Sequence, residues 1–185
     1  MPDFAYTLFP TPVGICGLAW GVYGVAAVQL PEADEPATVG RLLRAHRGAV
    51  QQRAGREQQR IIDDIVALLS GQPRDLCHIQ LDLTPVPPFH RRVFEVVRNI
   101  PPGQTRSYGE VAALCGERHA ARAVGQAMAR NPFPIIVPCH RVLAAGGRSG
   151  GFSARGGVTT KLRLLSIEGA LRRPAGRAAT LPLAL

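Results

Sequence analysis

The chain has 185 residues, and 46% of them are apolar, which is enough to bury a core. It lacks an apolar run of the roughly 20 residues that cross a bilayer, and residues 1–3 lack the basic flank of a secretory signal, so we expect a cytoplasmic protein without a membrane partner. Residues 1–84 hold 7 arginines and 9 acidic residues, whereas residues 85–185 hold 14 arginines, one lysine and 4 acidic residues. The balances of −2 and +11 predict that the second half binds a polyanion.

The first third of the chain is predicted to form three strands followed by two helices. The strands are short, partly β-branched segments separated by glycine-containing turns, over residues 5–9, 15–20 and 24–30. The helices cover residues 36–47 and 56–69, and Gly71 lies where a cap should end the second one. Residues 78–83 alternate apolar and polar side chains like a further strand. These elements predict an α/β domain over residues 1–84, followed by a stiff proline-rich connector.

The second half is predicted to be a mainly helical domain over residues 85–169. Helices are expected over residues 89–99, 107–114 and about 119–130, with a last one from Thr159 or Thr160, whose hydroxyls could cap it. Ser107 and Glu110 form a capping box, and Gly116 suits the end of that helix. The short helix, turn and basic helix outline a helix-turn-helix that exposes Arg118, Arg122 and Arg130, although a solvated helix face fits equally well. Residues 170–185 lack a periodic apolar face and are expected to be a mobile tail.

One cysteine lies in a setting that suggests chemistry. Prolines flank an apolar, strand-like run over residues 135–142, which places Cys139 beside His140 and Arg141. A free thiol has a pKa of about 8.5, so a nucleophilic cysteine needs a base or a positive field, and these two neighbours could supply both. Adjacent side chains point in different directions, so a bridging water or a third residue would be required. A buried cysteine without a catalytic role is the alternative.

The other three cysteines carry no such signal. Cys16, Cys77, Cys115 and Cys139 are separated by 61, 38 and 24 positions and form no CxxC pair. This spacing argues against a disulfide framework or a zinc knuckle. We expect Cys16, Cys77 and Cys115 to be buried structural thiols.

Several motifs of the second half together resemble the O6-alkylguanine-DNA alkyltransferase family. They span about residues 88–169 and comprise Ser107-Tyr108-Gly109, Ala121-Arg122-Ala123-Val124-Gly125, Asn131-Pro132 and Pro138-Cys139-His140-Arg141-Val142. The resemblance implies a small ribonuclease H-like α/β domain followed by a helical domain with a winged-helix-like helix-turn-helix. It also implies direct, irreversible transfer of a methyl or larger alkyl group from O6 of guanine, and from O4 of thymine, in duplex DNA to Cys139.

The resemblance assigns catalytic roles to further residues. His140 would accept the thiol proton through a water, and Glu168 would orient and charge the imidazole. Tyr108 would donate a proton to the departing guanine, and Asn131 would tie the helix-turn-helix to the active-site segment. No cofactor is expected. No metal is expected either, because Gly21 and Ala26 occupy the places of the zinc ligands that some members carry.

The resemblance also assigns residues to DNA and to the substrate. Arg122 would enter the duplex and fill the gap left by an extruded base, flanked by small residues that suit the narrow minor groove or, alternatively, helix packing. The DNA-binding candidates are Arg122, Ala121, Ala123, Gly125 and Ser107. The candidates for the substrate pocket are Pro134, Val142, Gly150, Phe152 and Ser153. Phe152 stands where many members have tyrosine, which leaves the size of the accepted alkyl group open.

Two other function classes compete with alkyl transfer. A helix-turn-helix regulator without catalysis would share the basic half and Arg122, but non-catalytic relatives replace the cysteine that is present at position 139. A cysteine hydrolase using Cys139 and His140 would need turnover and an oxyanion hole, which the sequence does not reveal. The expected partner is therefore duplex DNA containing O6-alkylguanine, bound by a monomer, with cooperative binding left open.

Overall fold

The first sheet of the computed structural model, which describes residues 3–170, is built from the predicted β-meander. Strands β1 (Phe4–Thr11), β2 (Gly14–Gly21) and β3 (Gly24–Gln29) pair antiparallel in sequence order. A fourth short strand, β4 (Val50–Gln51), adds parallel to β1 and gives the order β3-β2-β1-β4. The predicted mixed α/β fold is thereby confirmed. The tail expected over residues 170–185 lies, apart from its first residue, outside the described part of the chain.

Two helices follow β3, one on each side of β4 in the sequence. Helix α1 (Glu35–Leu42) begins at Asp34, whose carboxylate accepts the N–H of Ala37 at 2.8 Å. The prediction of a helix as far as residue 47 is wrong, because residues 43–49 form turns that bury His46 against the Phe4 ring at 4.8 Å. Helix α2 has the predicted bounds and the predicted buried face, and it covers Arg56–Leu69.

Residues 78–83 do not form the predicted strand. Asp75 and Asp82 accept the backbone N–H groups of Cys77 at 2.8 Å and Thr84 at 3.0 Å, so a side-chain-stabilised turn lies at each end of the segment. An isolated bridge between Leu81 and Val25, together with a hydrogen bond of 3.2 Å from Gln80 Nε2 to the carbonyl oxygen of Tyr23, attaches the segment to the edge of the sheet.

Residues 85–170 contain four α-helices and a small parallel sheet. The helices are α3 (Pro88–Arg98), α4 (Tyr108–Leu114), α5 (Ala121–Ala129) and α6 (Val158–Ile167), and the two strands are β5 (Arg106–Ser107) and β6 (Val142–Leu143). The capping box of α4 is present: Ser107 Oγ accepts the Glu110 N–H at 3.1 Å, and the Glu110 carboxylate accepts the Ser107 N–H at 2.6 Å. Helix α6 begins after Gly157 without a side-chain cap, so the predicted threonine cap is wrong.

Apolar side chains from both halves form one continuous buried cluster. It includes Leu18 and Val28 from the sheet and Phe94, Phe133 and Leu164 from the second half. A backbone hydrogen bond of 2.9 Å from Val28 to Pro132 joins strand β3 to the segment that follows α5. Within residues 3–170 we find no helix long and apolar enough to cross a membrane.

Candidate active site

Cys139 lies in a short 3-10 turn, Cys139–Arg141, and not in the strand predicted for this segment. Pro134 and Pro138 cannot donate to a strand ladder, and Ile135 adopts a φ of 76°, which breaks an extended run. Left-handed backbone at a β-branched residue costs about 1–3 kcal/mol and persists only where the surroundings enforce it. Ile135 is fully buried, so packing holds the turn that presents Cys139.

Asn131 connects the end of helix α5 to this turn. Its amide nitrogen donates to the carbonyl oxygen of Val137 at 2.8 Å, and its amide oxygen accepts the N–H of Phe133 at 2.9 Å. The Asn131 side chain also acts on the Cys139 thiol and lowers its pKa. The position of the thiol is therefore coupled to the position of α5.

The nearest base to Cys139 in sequence, His140, is paired with a carboxylate. Nε2 of His140 lies 2.9 Å from Oε1 of Glu168, and both side chains are buried. Arg141 holds the same carboxylate from the other side, donating from Nε at 2.8 Å and from Nη2 at 2.7 Å. Burial alone would raise the pKa of Glu168, but the hydrogen bonds from His140 and Arg141 prevail and lower it to about 2. Glu168 is therefore a fixed negative charge at neutral pH.

The second imidazole nitrogen of His140 remains available. Nδ1 is buried and has no hydrogen-bond partner among the side chains and backbone of residues 3–170. Burial lowers the pKa of His140, and the hydrogen bond and charge of Glu168 oppose that effect. The ring is thus poised as a neutral base whose protonated form has a carboxylate beside it.

Lys161 belongs to the site, although sequence reasoning did not single it out. It is the only lysine of the chain, and its side chain is fully buried. Nζ donates to the carbonyl oxygen of Val142 at 2.6 Å and lies 5.8 Å from the centre of the Tyr108 ring. Burial lowers the pKa of Lys161 to about 8, with Cys139 opposing the shift. The helical spacing could have predicted this burial, because Lys161 lies one turn before Leu164 and Leu165 on the inward face of α6.

The thiol itself rests in its protonated form. Burial raises the pKa of Cys139, and the Asn131 hydrogen bond, the Lys161 charge and nearby backbone N–H groups offset that rise only in part. A nucleophile at neutral pH therefore needs a base at the moment of reaction. His140 is the residue placed to act as that base.

Cys139 lines a cavity of about 390 Å³ that is large enough for a purine-sized group. Its walls come from the start of α4, from α5 and from the loop before α6: Tyr108, Gly125, Met128, Ala129, Cys139, Gly151, Phe152 and Ser153. Tyr108 is half-buried, and burial together with the nearby Cys139 raises the pKa of its hydroxyl. The phenol is therefore kept as a proton donor at neutral pH.

A second cavity, of about 520 Å³, meets the first at Ala129, Cys139, Phe152 and Ser153. It extends toward α1, and Pro134 lines it. Two predicted pocket residues line neither cavity. Val142 is buried below the site and contributes its carbonyl to Lys161, while Gly150 packs on Tyr108, where a Cβ would lie 3.1 Å from the ring.

The predicted DNA-binding residues divide into two groups. Arg122 is exposed near the start of α5, next to the half-buried Ala121 and Ala123, while Gly125, one turn later, faces the cavity. Arg118 and Arg130 are exposed at the two ends of the same helix. The hydroxyl of Ser107 is engaged in the α4 cap. Helix α5 therefore carries both an exposed arginine and part of the wall around Cys139.

Within residues 3–170, no three histidine, cysteine or acidic side chains are grouped as metal ligands would be. The expected buried state of the remaining cysteines holds only for Cys16. Cys77 is exposed and Cys115 is half-exposed. Cys77 instead donates its thiol hydrogen to the carbonyl oxygen of Arg98 at 3.3 Å.

The chain is similar to proteins whose names refer to methylated DNA or to DNA base flipping. The sequence model described as "6-O-methylguanine DNA methyltransferase, DNA binding domain" matches residues 88–170. Methylated-DNA–protein-cysteine methyltransferases from Methanothermobacter thermautotrophicus and Mycobacterium leprae are 41% and 51% identical over 111 and 107 residues, which are 60% and 58% of this chain. These matches span 61% and 62% of the relatives' own length. A protein of Thermus thermophilus named DNA base-flipping protein is 41% identical over 112 residues, 60% of this chain and 74% of its own.

Solved structures match over almost the whole chain. The Mycobacterium tuberculosis OGT in complex with DNA is 33% identical, with a TM-score of 0.74, over 92% of this chain and 96% of that one. The O6-methylguanine-DNA methyltransferase of Pyrococcus kodakaraensis is 28% identical, with a TM-score of 0.67, over 89% and 99% of the two chains. The similarity therefore extends to the N-terminal sheet, which the sequence model does not reach.

Proposed function

The chain belongs to the O6-methylguanine-DNA methyltransferase family, and we propose that it repairs duplex DNA by transferring an alkyl group from O6 of guanine to its own Cys139. One observation carries the proposal: Cys139 lines a purine-sized cavity beside a buried His140–Glu168 pair, at the end of the helix that exposes Arg122. The same chemistry would serve O4-alkylthymine.

The first step is removal of the thiol proton. His140 Nδ1 accepts it through a bridging water, and the imidazolium that forms is stabilised by the Glu168 carboxylate at 2.9 Å from Nε2. The positive charge of Lys161 favours the thiolate over the thiol. The thiolate and the imidazolium form together in a buried site and attract each other. The Glu168 carboxylate stabilises the imidazolium, and the Lys161 ammonium stabilises the thiolate.

The second step is displacement at the alkyl carbon. The sulfur attacks the saturated carbon, the new S–C bond forms as the O6–C bond breaks, and the electron pair of that bond passes to the guanine. The Tyr108 hydroxyl, which lines the same cavity as the thiol, gives a proton to the base and so neutralises the leaving group. The product thioether lacks a good leaving group, so each chain reacts once. Because a thiolate displaces the alkyl group directly, the step needs no metal or organic cofactor.

Access to a base in duplex DNA requires that the base leave the stack. Helix α5 presents Arg122 on the outside and Gly125 toward the cavity, so the arginine can occupy the gap while the base enters. A planar guanidinium can stack on the neighbouring bases and offset part of the extrusion cost of a few kcal/mol. The small side chains of α5 suit insertion in the minor groove.

Further assignments from the resemblance belong to the same proposal. We propose that the protein acts as a monomer, that residues 1–84 form a ribonuclease H-like domain, and that residues 85–169 form the DNA-binding and transfer domain with a winged-helix-like helix-turn-helix. Exposed arginines of the second half would neutralise phosphates, which makes binding tolerant of sequence and sensitive to salt.

A binding protein without transfer is the main competing function, since one relative is named a base-flipping protein. Cys139 and its general base, His140, suit the transfer reaction. Binding alone would require neither of them. The test is to incubate the protein with a duplex containing one O6-methylguanine and to measure the loss of that nucleoside. We expect one lesion removed per chain, and none by Cys139→Ala. Binding without loss of the lesion would favour the competing function.

A further inference from the structure

The second part of the connection between β6 and α6, residues 148–157, forms part of the cavity wall yet has no regular structure. Residues 148–157 contain no helix or strand, and Phe152 and Ser153 from this loop line the cavity beside Cys139. Gly150, Gly156 and Gly157 have φ values of 64°, 82° and 51°. A glycine-rich segment of this kind loses much conformational freedom when it is held in place, so contacts from outside the loop must fix it.

Two arginines connect this loop to the N-terminal half. Arg41 of α1 donates from Nη2 to the carbonyl oxygen of Ser153 at 2.7 Å, across 112 positions of sequence. Its Nη1 lies 3.1 Å from the Glu32 carboxylate. In the opposite direction, Arg155 of the loop donates to the backbone carbonyl of Glu32 at 3.1 Å. Glu32 is therefore shared by an arginine from each side.

The Glu32 end of this bridge is itself fixed. Its backbone N–H donates to the Thr38 hydroxyl at 3.0 Å, and its carboxylate accepts from Gln29 at 3.2 Å. Thr38 is buried in α1, and Gln29 ends strand β3. The guanidinium of Arg41 thus spans a fixed carboxylate and a loop carbonyl, which its planar fork of donors can do and a lysine ammonium does less well.

We propose that Arg41 is a positioning residue, which holds the Ser153 segment of the cavity wall in register with Cys139 from the N-terminal half. The inference rests on the proposed alkyl transfer, because Arg41 touches the loop and not the reacting atoms. It gives the N-terminal half a direct part in shaping the substrate site. Since both cavities meet at Ser153, the same contact limits the size of the alkyl group that fits beside the thiol.

The first test measures the loop without substrate. Amide hydrogen exchange of the full chain is followed in a peptide covering residues 148–157 for wild type, Arg41→Gln, Arg155→Gln and, as a control, Arg47→Gln, which changes an exposed arginine just after α1. We expect this peptide to exchange faster in Arg41→Gln and Arg155→Gln and at the wild-type rate in Arg47→Gln. The protection of α2 should be unchanged in all variants. Equal exchange in all four proteins would overturn the proposal.

The second test measures the consequence for transfer. Single-turnover alkylation by free O6-benzylguanine is measured at saturation, and we expect Arg41→Gln to lower the rate constant about fivefold, with partial recovery in Arg41→Lys. A looser loop with an unchanged rate constant would show that Arg41 holds the loop without positioning it, which also contradicts the proposal. If wild type takes up no alkyl group at all, the proposed function fails, while the exchange measurement still tests the contact.

Discussion

Oε1 of Glu168 lies 2.9 Å from Nε2 of His140, although 28 positions of sequence separate the two residues. Glu168 follows the last residue of helix α6, which packs Leu164 and Leu165 inward and so carries the carboxylate back to the turn that holds Cys139. Both oxygens of that carboxylate are also bound by Arg141. The arrangement fixes one orientation of the imidazole and places a negative charge where the imidazolium would form.

Replacing the carboxylate should change the pH dependence of transfer. In Glu168→Gln the imidazolium loses its charged partner, so the apparent pKa of the Cys139 thiol should rise, and the rate should fall at neutral pH and partly recover in alkali. The measurement is alkylation by free O6-alkylguanine from pH 6 to pH 10. Arg141→Lys serves as the control for disturbing the other partner of Glu168. Superimposable profiles of wild type and Glu168→Gln would remove Glu168 from the mechanism.

The same carboxylate should stabilise the fold in a pH-dependent way. The pKa of Glu168 is lowered from 4.5 to about 2, so its contribution is fully present above pH 4.5 and is lost as the pH falls toward 2. Urea unfolding should therefore show wild type more stable than Glu168→Gln by about 3 kcal/mol at pH 6, with the difference shrinking below pH 4.5. A difference that stays constant down to pH 2.5 would contradict the assignment.

Lys161 should assist the thiolate only while it is charged. Lys161→Met should slow transfer about tenfold at pH 7, which corresponds to roughly one unit in the pKa of the thiol. Because the pKa of Lys161 is about 8, wild type itself loses the charge at higher pH, so the two rates should converge by pH 9. Arg163→Gln, on the exposed face of α6, is the matched control. The same ratio at pH 7 and pH 9 would show that Lys161 acts through packing instead.

Arg122 should matter for duplex DNA and not for the isolated base. Arg122→Ala should slow repair of O6-methylguanine in a duplex by tenfold or more and leave the reaction with free O6-alkylguanine nearly unchanged, since the free base needs no extrusion. Arg118→Ala removes another exposed arginine before α5 and should weaken binding in a salt-dependent way on all sequences. Equal slowing of Arg122→Ala on both substrates would refute the role in extrusion.

Structural features that depend on residues close together in the sequence were predictable. The apolar face of α2 and the Ser107–Glu110 capping box lie where periodicity and spacing place them. Residues 78–83 and most of residues 135–142 are not strands. Apolar alternation in the first segment does not show that aspartate side chains form turns at both of its ends, and the apolar run of the second does not show the left-handed backbone of Ile135. Such competition becomes visible only when the acceptor's position is known.

The site was predictable only where a motif carried it. The sequence placed Cys139 beside His140, and the family resemblance added Tyr108 and Glu168. The sequence analysis predicted neither the burial of Lys161 nor the contact of Arg41 with Ser153. That contact joins residues 112 positions apart and leaves no periodic pattern in the sequence. Contacts of this kind follow from the packing of the two halves and not from any local pattern.

The most direct test of the central claim is the mass of the intact protein after reaction. The protein is incubated with an excess of duplex containing O6-methylguanine, and the mass spectrum and a peptide map are recorded for wild type and Cys139→Ala. One methyl group per chain, located on Cys139 and absent from the variant, is the expected result. Unmodified wild-type protein after the lesion has been consumed, or a methyl group on another residue, would contradict transfer to Cys139.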